Sequence, residues 1–199
     1  NKFQQKIAAS LILKELQLEK QKFFVVSAHR EENISNSKNF ERFIKLLNLI
    51  AEKYQFPIIV STHPRTRKML DAEKIKTHEK IRFLKPLGFS DYNALQCHSY
   101  AVLSDSGTIS EESSILNFKA LNLRETHERP EAMEEASVIM VGLNPERILQ
   151  ALSTIEAYKG NGHRKFRLVS DYSMPNVSDK IVHIILSYVD YVNRVVWNK

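Results

Sequence analysis

Glycine is scarce, with five in 199 residues, cysteine and tryptophan occur once each, and no apolar run approaches the roughly 18 residues of a membrane-crossing helix. With so little glycine, neither a Walker A phosphate loop nor the glycine-rich dinucleotide fingerprint is present. The lone Cys97 excludes a disulfide framework and a thiolate zinc site. It suits a reducing compartment, so the cytoplasm is the expected location and no membrane insertion is expected. The opening residues, Asn1-Lys2-Phe3-Gln4-Gln5, have neither the charged-then-apolar build of a signal peptide nor an initiator methionine, which reads as a piece of a longer polypeptide.

What is present is an ordinary globular balance. Residues that are 43% apolar and 26% charged do not describe a disordered chain or a coiled-coil rod, and they predict a single buried core with room for one appendage. The net charge of +6 suggests an anionic partner. Its distribution opposes nucleic acid: residues 65–85 hold eight Lys/Arg against three acids, whereas residues 105–135 hold three against eight. A continuous basic track interleaved with aromatics is missing.

Short apolar runs alternate regularly with longer amphipathic stretches. The runs predict strands at Phe23–Ala28, Ile58–Thr62, Ile81–Leu84, Ala101–Ser104, Ala120–Leu123 and Val138–Val141. Between them, the spacing predicts helices at Asn39–Tyr54, Thr66–Lys74, Asp91–His98, Thr108–Leu116, Pro130–Ala136 and Pro145–Tyr158. Six strands separated by crossover-length helices imply a doubly wound parallel sheet with helices on both faces. The expected organisation is a leading helix over residues 1–20 that need not belong to the core, an α/β domain over 21–158, a linker over 159–175 and an amphipathic helix over 176–199. That last helix carries Ile181, Ile184, Ile185, Tyr188, Val192 and Val195 on one face, a band that something must cover.

In an open parallel sheet ligands bind beyond the carboxyl ends of the strands. The five loops there are polar: His29-Arg30-Glu31-Glu32-Asn33, His63-Pro64-Arg65, Lys85-Pro86-Leu87-Gly88-Phe89, Asp105-Ser106-Gly107-Thr108 and Arg124-Glu125-Thr126-His127-Glu128-Arg129-Pro130. Asp105-Ser106-Gly107-Thr108 is a strand-to-helix turn that would leave backbone N–H groups open to a phosphate, with Ser106 as a simple helix cap the plainer alternative. Glu111 and Glu112 suit a helix N-terminus on dipole grounds alone, while one carboxylate there would also accept both hydroxyls of a ribose. Arg129, before Pro130, would neutralise a diphosphate bidentately, or else pair with Glu128 or Glu131. His29 and His63 each follow a strand, so both would point at a ligand. No pair of histidines has metal-like spacing with a third ligand, and no metal is expected.

Read together, these loops, with Ser104-Asp105-Ser106-Gly107-Thr108-Ile109-Ser110-Glu111-Glu112 and Glu128-Arg129-Pro130-Glu131, resemble the C-terminal half of the non-hydrolysing UDP-N-acetylglucosamine 2-epimerases. The resemblance covers roughly residues 20–155, with all motifs in order. It implies a Rossmann-like domain, the second of a two-domain GT-B-like enzyme, whose last helix crosses back to the first domain. It further implies UDP or a UDP-N-acetylhexosamine as partner, no cofactor, and a homodimer at full length. Ser106 and Gly107 would meet the diphosphate, Glu112 the ribose, the Phe89 segment the uracil, and Arg129 and His29 the phosphate and sugar as catalytic groups. Arg30 and His63 would line the same cleft.

Where such proteins commonly have Gly-Gly-Ile-Gln and Gly-Lys-Pro, this chain has Gly107-Thr108-Ile109-Ser110 and Asn117-Phe118-Lys119. With Glu111-Glu112-Ser113-Ser114, these departures look more like the branch that interconverts UDP-N-acetyl-L-talosamine and UDP-N-acetyl-L-fucosamine for capsule or O-antigen synthesis. Competing expectations are the nucleotide-sugar domain of a GT-B glycosyltransferase, a hydrolysing 2-epimerase, and a non-catalytic nucleotide-sugar-binding module.

Overall fold

The computed structural model describes residues 3–28, 37–62, 64–73, 75–157 and 164–199. Six strands form one parallel sheet: β1 Phe24–Ser27, β2 Ile58–Ser61, β3 Ile81–Leu84, β4 Ala101–Ser104, β5 Ala120–Asn122 and β6 Ile139–Met140. Their order across the sheet is β3-β2-β1-β4-β5-β6, so the direction of winding reverses between β1 and β4. Phe24 pairs with Ile58 on one side and Ala101 on the other, which puts the ends of β1, β2 and β4 level at Ser27, Ser61 and Ser104. This is the doubly wound architecture that the alternation of runs predicts.

The two central strands read Phe-Val-Val-Ser and Ala-Val-Leu-Ser and are buried throughout, because a parallel strand covered on both faces needs apolar residues at every position. Successive side chains then feed opposite layers. Phe24, Val26 and Leu103 join one core with Phe43, Ile44 and Leu47, whereas Val25 and Val102 join the other with Ile59, Leu95 and Ile109. Phe43, Ile44 and Leu47 belong to an 18-residue helix, Ser37–Tyr54, whose apolar residues recur at three- and four-residue spacing. Burying each such side chain contributes about 1.5–3 kcal/mol.

Residues 3–20 differ from the one leading helix expected, which need not have belonged to the core. They form two short helices, α1 Gln4–Ala8 and α2 Ile12–Glu15. Between them the Ser10 hydroxyl accepts from the Ile12 amide and donates to Asp91 Oδ1 at 2.6 Å. Ile12 is buried, and Ile7, Leu13, Leu16 and Leu18 pack on the second core, so the segment belongs to the domain. The remaining helices are α3 Ser37–Tyr54, α4 Pro64–Glu73, α5 Phe89–His98, α6 Ile109–Leu116, α7 Pro130–Glu134, α8 Pro145–Ala157, α9 Ser170–Ser173 and α10 Val177–Val195.

The described end of the expected linker is also attached. Arg164 donates to the free carbonyls of Ser114 (2.5 Å) and Ile115 (3.2 Å) at the C-terminus of α6, where helix carbonyls lack partners, and the Val169 amide donates to Ser114 Oγ. Val169 is buried and Arg167 forms an ion pair with Glu135. The chain accordingly divides into two compact units, Asn1–Val169 and Ser170–Lys199. In the second unit, α10 is amphipathic, and its apolar residues other than Val192 are exposed. Among the described residues, no helix is long and apolar enough to cross a membrane.

Candidate site at the carboxyl edge of the sheet

The winding reverses between β1 and β4, the place where open parallel sheets bind ligands beyond the carboxyl ends of their strands, and the turn after β4 lies there. Asp105 is fully buried there, and its amide donates to the Ser27 carbonyl, tying the two central strands together. The next amide, of Ser106, donates to Ser104 Oγ at 3.1 Å. The Ser106 hydroxyl lies 3.0 Å from Thr108 Oγ1 and accepts from the Thr108 amide at 3.3 Å. Ser106 therefore closes a hydroxyl turn and is not the helix cap, a position held by Thr108.

The first amides of α6 are less open than the sequence suggests. Ile109 N and Ser110 N reach back to the carbonyls of Ser106 and Gly107, both at 3.4 Å, in tight i→i+3 fashion. Bonds of that length are weak and exchange readily for a better acceptor such as a phosphate oxygen.

Two charged clusters flank the turn. On one side, Glu112 accepts from Thr108 Oγ1 at 3.0 Å through one oxygen and from Gln96 Nε2 at 2.7 Å through the other. On the other side, Arg129 Nε donates to Glu111 Oε1 at 2.6 Å, an ion pair to the first turn of α6 that neither of the anticipated partners, Glu128 and Glu131, foretold. Pro130 starts α7 directly after Arg129 and fixes where the guanidinium leaves the backbone. A methyl group built on Gly107 would meet Arg129 Nη2 and Glu128 Oε2, both at 3.9 Å. Glu112 and Arg129 thus reach the turn that holds Ser106 and Gly107.

The other predicted residues fare differently. His29, Arg30 and His63, with Glu31, Glu32 and Asn33, lie outside the described residues. Phe89 opens α5, is 60% exposed, and meets Phe3 edge to face at 5.1 Å.

Several participants escaped sequence reading. Tyr92 of α5 places its hydroxyl against the side chains of Ser27 and Gln96, and burial, aided by the negative charges of Glu112 and Asp105, pushes it up to about 12. It is a neutral donor across the physiological range. Gln96 is fully buried. Both sit inside a helix, where their spacing announces nothing. Arg124, only 5% exposed, pairs with Glu128 Oε1 at 2.8 Å, and its Nε has no partner among the described residues. Its position just past β5 was the available signal. A groove of about 960 Å³ is lined by Arg124, Glu125, Thr126, Arg42, Leu143 and Asn144.

The fold and this edge define a Rossmann-like α/β domain with a polar strand-to-helix turn at its winding reversal. The chain belongs to the UDP-N-acetylglucosamine 2-epimerase family, whose model matches residues 1–186. A UDP-N-acetylglucosamine 2-epimerase from Methanocaldococcus jannaschii is 33% identical over 148 residues, which are 72% of this chain and 40% of that relative. The solved structure of UDP-N-acetylglucosamine 2-epimerase from Rickettsia bellii is 45% identical with a TM-score of 0.82, covering all of this chain and 53% of that one. The M. jannaschii UDP-GlcNAc 2-epimerase, solved in complex with UDP-GlcNAc and UDP, is 27% identical with a TM-score of 0.77 over 92% of this chain and 50% of that one. The chain therefore spans about half the length of the relatives it matches. The enzymes of that name are isomerases.

Proposed function

We propose that this chain is the UDP-binding half of a UDP-N-acetylhexosamine 2-epimerase. The observation that carries the reading is the convergence of an arginine, a carboxylate and a helix start on the Ser106–Thr108 turn. In this reading the diphosphate lies over Gly107, held by Arg129 and the leading amides of α6, with Ser106 Oγ beside it. Glu112 accepts the ribose hydroxyls and Phe89 borders the uracil. His29, Arg30 and His63 complete the sugar side of the cleft. The complex of the M. jannaschii relative with UDP-GlcNAc and UDP supports the choice of ligand.

The reaction in this reading needs no cofactor. A base removes the C2 proton, the C1–O bond breaks with its electron pair leaving on UDP, and a 2-acetamidoglucal remains. Reprotonation of C2 from the opposite face, with attack of the UDP oxygen on C1, gives the epimer. Arg129 and the helix start stabilise the charge that develops on the leaving diphosphate, a contribution made before the reaction begins because the donors are already in place. His29 is the second catalytic group on this chain.

The proposal extends to the whole protein. The acid and base carboxylates at C2 reside on a preceding domain, α10 packs on that domain, and the 199-residue chain alone binds UDP without epimerising. The departures at Gly107-Thr108-Ile109-Ser110 and Asn117-Phe118-Lys119 favour the UDP-N-acetyl-L-talosamine/UDP-N-acetyl-L-fucosamine branch, a cytoplasmic supplier of surface polysaccharide acting as a homodimer. Proton NMR of the full-length enzyme with candidate UDP-sugars in deuterium oxide tests both reaction and substrate. Deuterium entering C2 supports the reading; release of free UDP without epimer, or transfer to an acceptor, overturns it.

A further inference from the structure

Gln96 is completely buried, yet its amide nitrogen makes the shorter of the two bonds to Glu112, 2.7 Å against 3.0 Å from Thr108. The two donors come from different elements, α5 and the start of α6, and each takes a different carboxylate oxygen. Such a grip removes the rotation of the terminal carboxylate, which in a free glutamate is broad. The Tyr92 hydroxyl lies against Gln96 and against Ser27 at the end of β1, while Gln96 Oε1 has no partner among the described residues. A line of contacts thus runs from the central strand through Tyr92 and Gln96 to Glu112.

We infer that Gln96 is a positioning residue, which sets the plane of the Glu112 carboxylate so that its remaining lone pairs meet a ribose diol. The inference rests on the proposed binding of a uridine nucleotide at this turn. Its physical basis is that a preset acceptor loses little freedom when the hydroxyls arrive, whereas a loose one must be ordered by the ligand. As an uncharged donor, Gln96 adds no like charge beside the Glu112 carboxylate, whereas an acidic residue there would repel it.

The test compares the affinities of the full chain for UDP and for 2′,3′-dideoxy-UDP by calorimetry. The unmodified protein prefers UDP by about tenfold or more, as expected for hydrogen bonds to a charged acceptor. Gln96→Met shrinks that preference several-fold while leaving affinity for the dideoxy ligand within about twofold, since the diphosphate contacts are untouched. Gln96→Glu keeps the shape of the buried side chain and adds a pH signature. At acidic pH one proton shared by the two carboxylates replaces the amide donor and the preference persists; as pH rises that proton is lost, the charges repel, and the preference falls. The diphosphate is common to both ligands, so its own titration cancels. A preference unchanged in Gln96→Met, or independent of pH in Gln96→Glu, overturns the inference. Equal affinities in the unmodified protein overturn instead the ribose reading on which it stands.

Discussion

Arg129 reaches back across 18 residues of sequence to place its Nε 2.6 Å from Glu111 Oε1, while its Nη2 borders Gly107. One guanidinium edge is thereby spent on the protein and another faces the turn. Both side chains are about one-third exposed, so the pair contributes under about 1 kcal/mol to stability. Its importance lies in orientation. Arg129→Ala is expected to weaken UDP binding by about 10- to 100-fold with little change in melting temperature. Arg129→Lys should recover only part of the loss, because an ammonium cannot hold Glu111 and a phosphate with separate edges. Calorimetric titration with UDP checks both; equal affinities would remove Arg129 from the site.

Gly107 and Gly142 predict opposite phenotypes. Gly142 has φ +60° and its added methyl would lie 3.4 Å from Glu125 Cγ, so Gly142→Ala should destabilise by about 1–2 kcal/mol. At Gly107 the methyl would be in ordinary contact at 3.9 Å, so Gly107→Ala should leave stability within about 0.5 kcal/mol. That methyl nonetheless occupies the approach to Arg129, and UDP affinity should fall. Paired thermal melts and titrations distinguish a glycine kept for the backbone from one kept for the ligand.

His98, at the end of α5, carries the expected acid sensitivity. Burial, with the neighbouring charge of Lys20, holds its pKa below the ordinary 6.5. The unfolded chain therefore takes up a proton before the folded one as pH falls through 6.5, and stability declines there. Above that value both states are neutral at this position and the contribution is complete. His98→Asn should reduce the loss of melting temperature between pH 7.5 and pH 5.5; an unchanged difference would assign the acid sensitivity to other groups.

Ile184 and Ile185 stand 58% and 57% exposed on α10. Ile185→Asp in the 199-residue chain should change its stability by no more than about 0.5 kcal/mol, as for other exposed positions. In the full-length protein, where the proposal has this face packed on a preceding domain, the same change buries a carboxylate and should lower the melting temperature and activity strongly. Equal, negligible effects in both would leave the helix without that role.

Much of this molecule was legible in its order of residues. Runs such as Phe-Val-Val-Ser and Ala-Val-Leu-Ser could be placed because strands buried on both faces must be apolar throughout, and their regular separation by helical spacing left a doubly wound sheet as the simplest packing. The site was legible as loops, since every turn after a strand in such a sheet falls on one edge. Helix breaks were less so: α1 and α2 are divided by hydrogen bonds of Ser10, one of them to Asp91, 81 residues away.

What the sequence by itself determined is therefore the kind of elements, their alternation, and the edge on which Ser106, Gly107, Glu112 and Arg129 meet. Local patterning controls these, because each element must present its apolar face to a core. Which partners those residues take was decided only by tertiary structure. Glu111 with Arg129, Glu112 with Gln96 and Arg124 with Glu128 are chosen by a few ångströms of helix placement, a distance that sums over the packing of both cores and is written in no single stretch of chain.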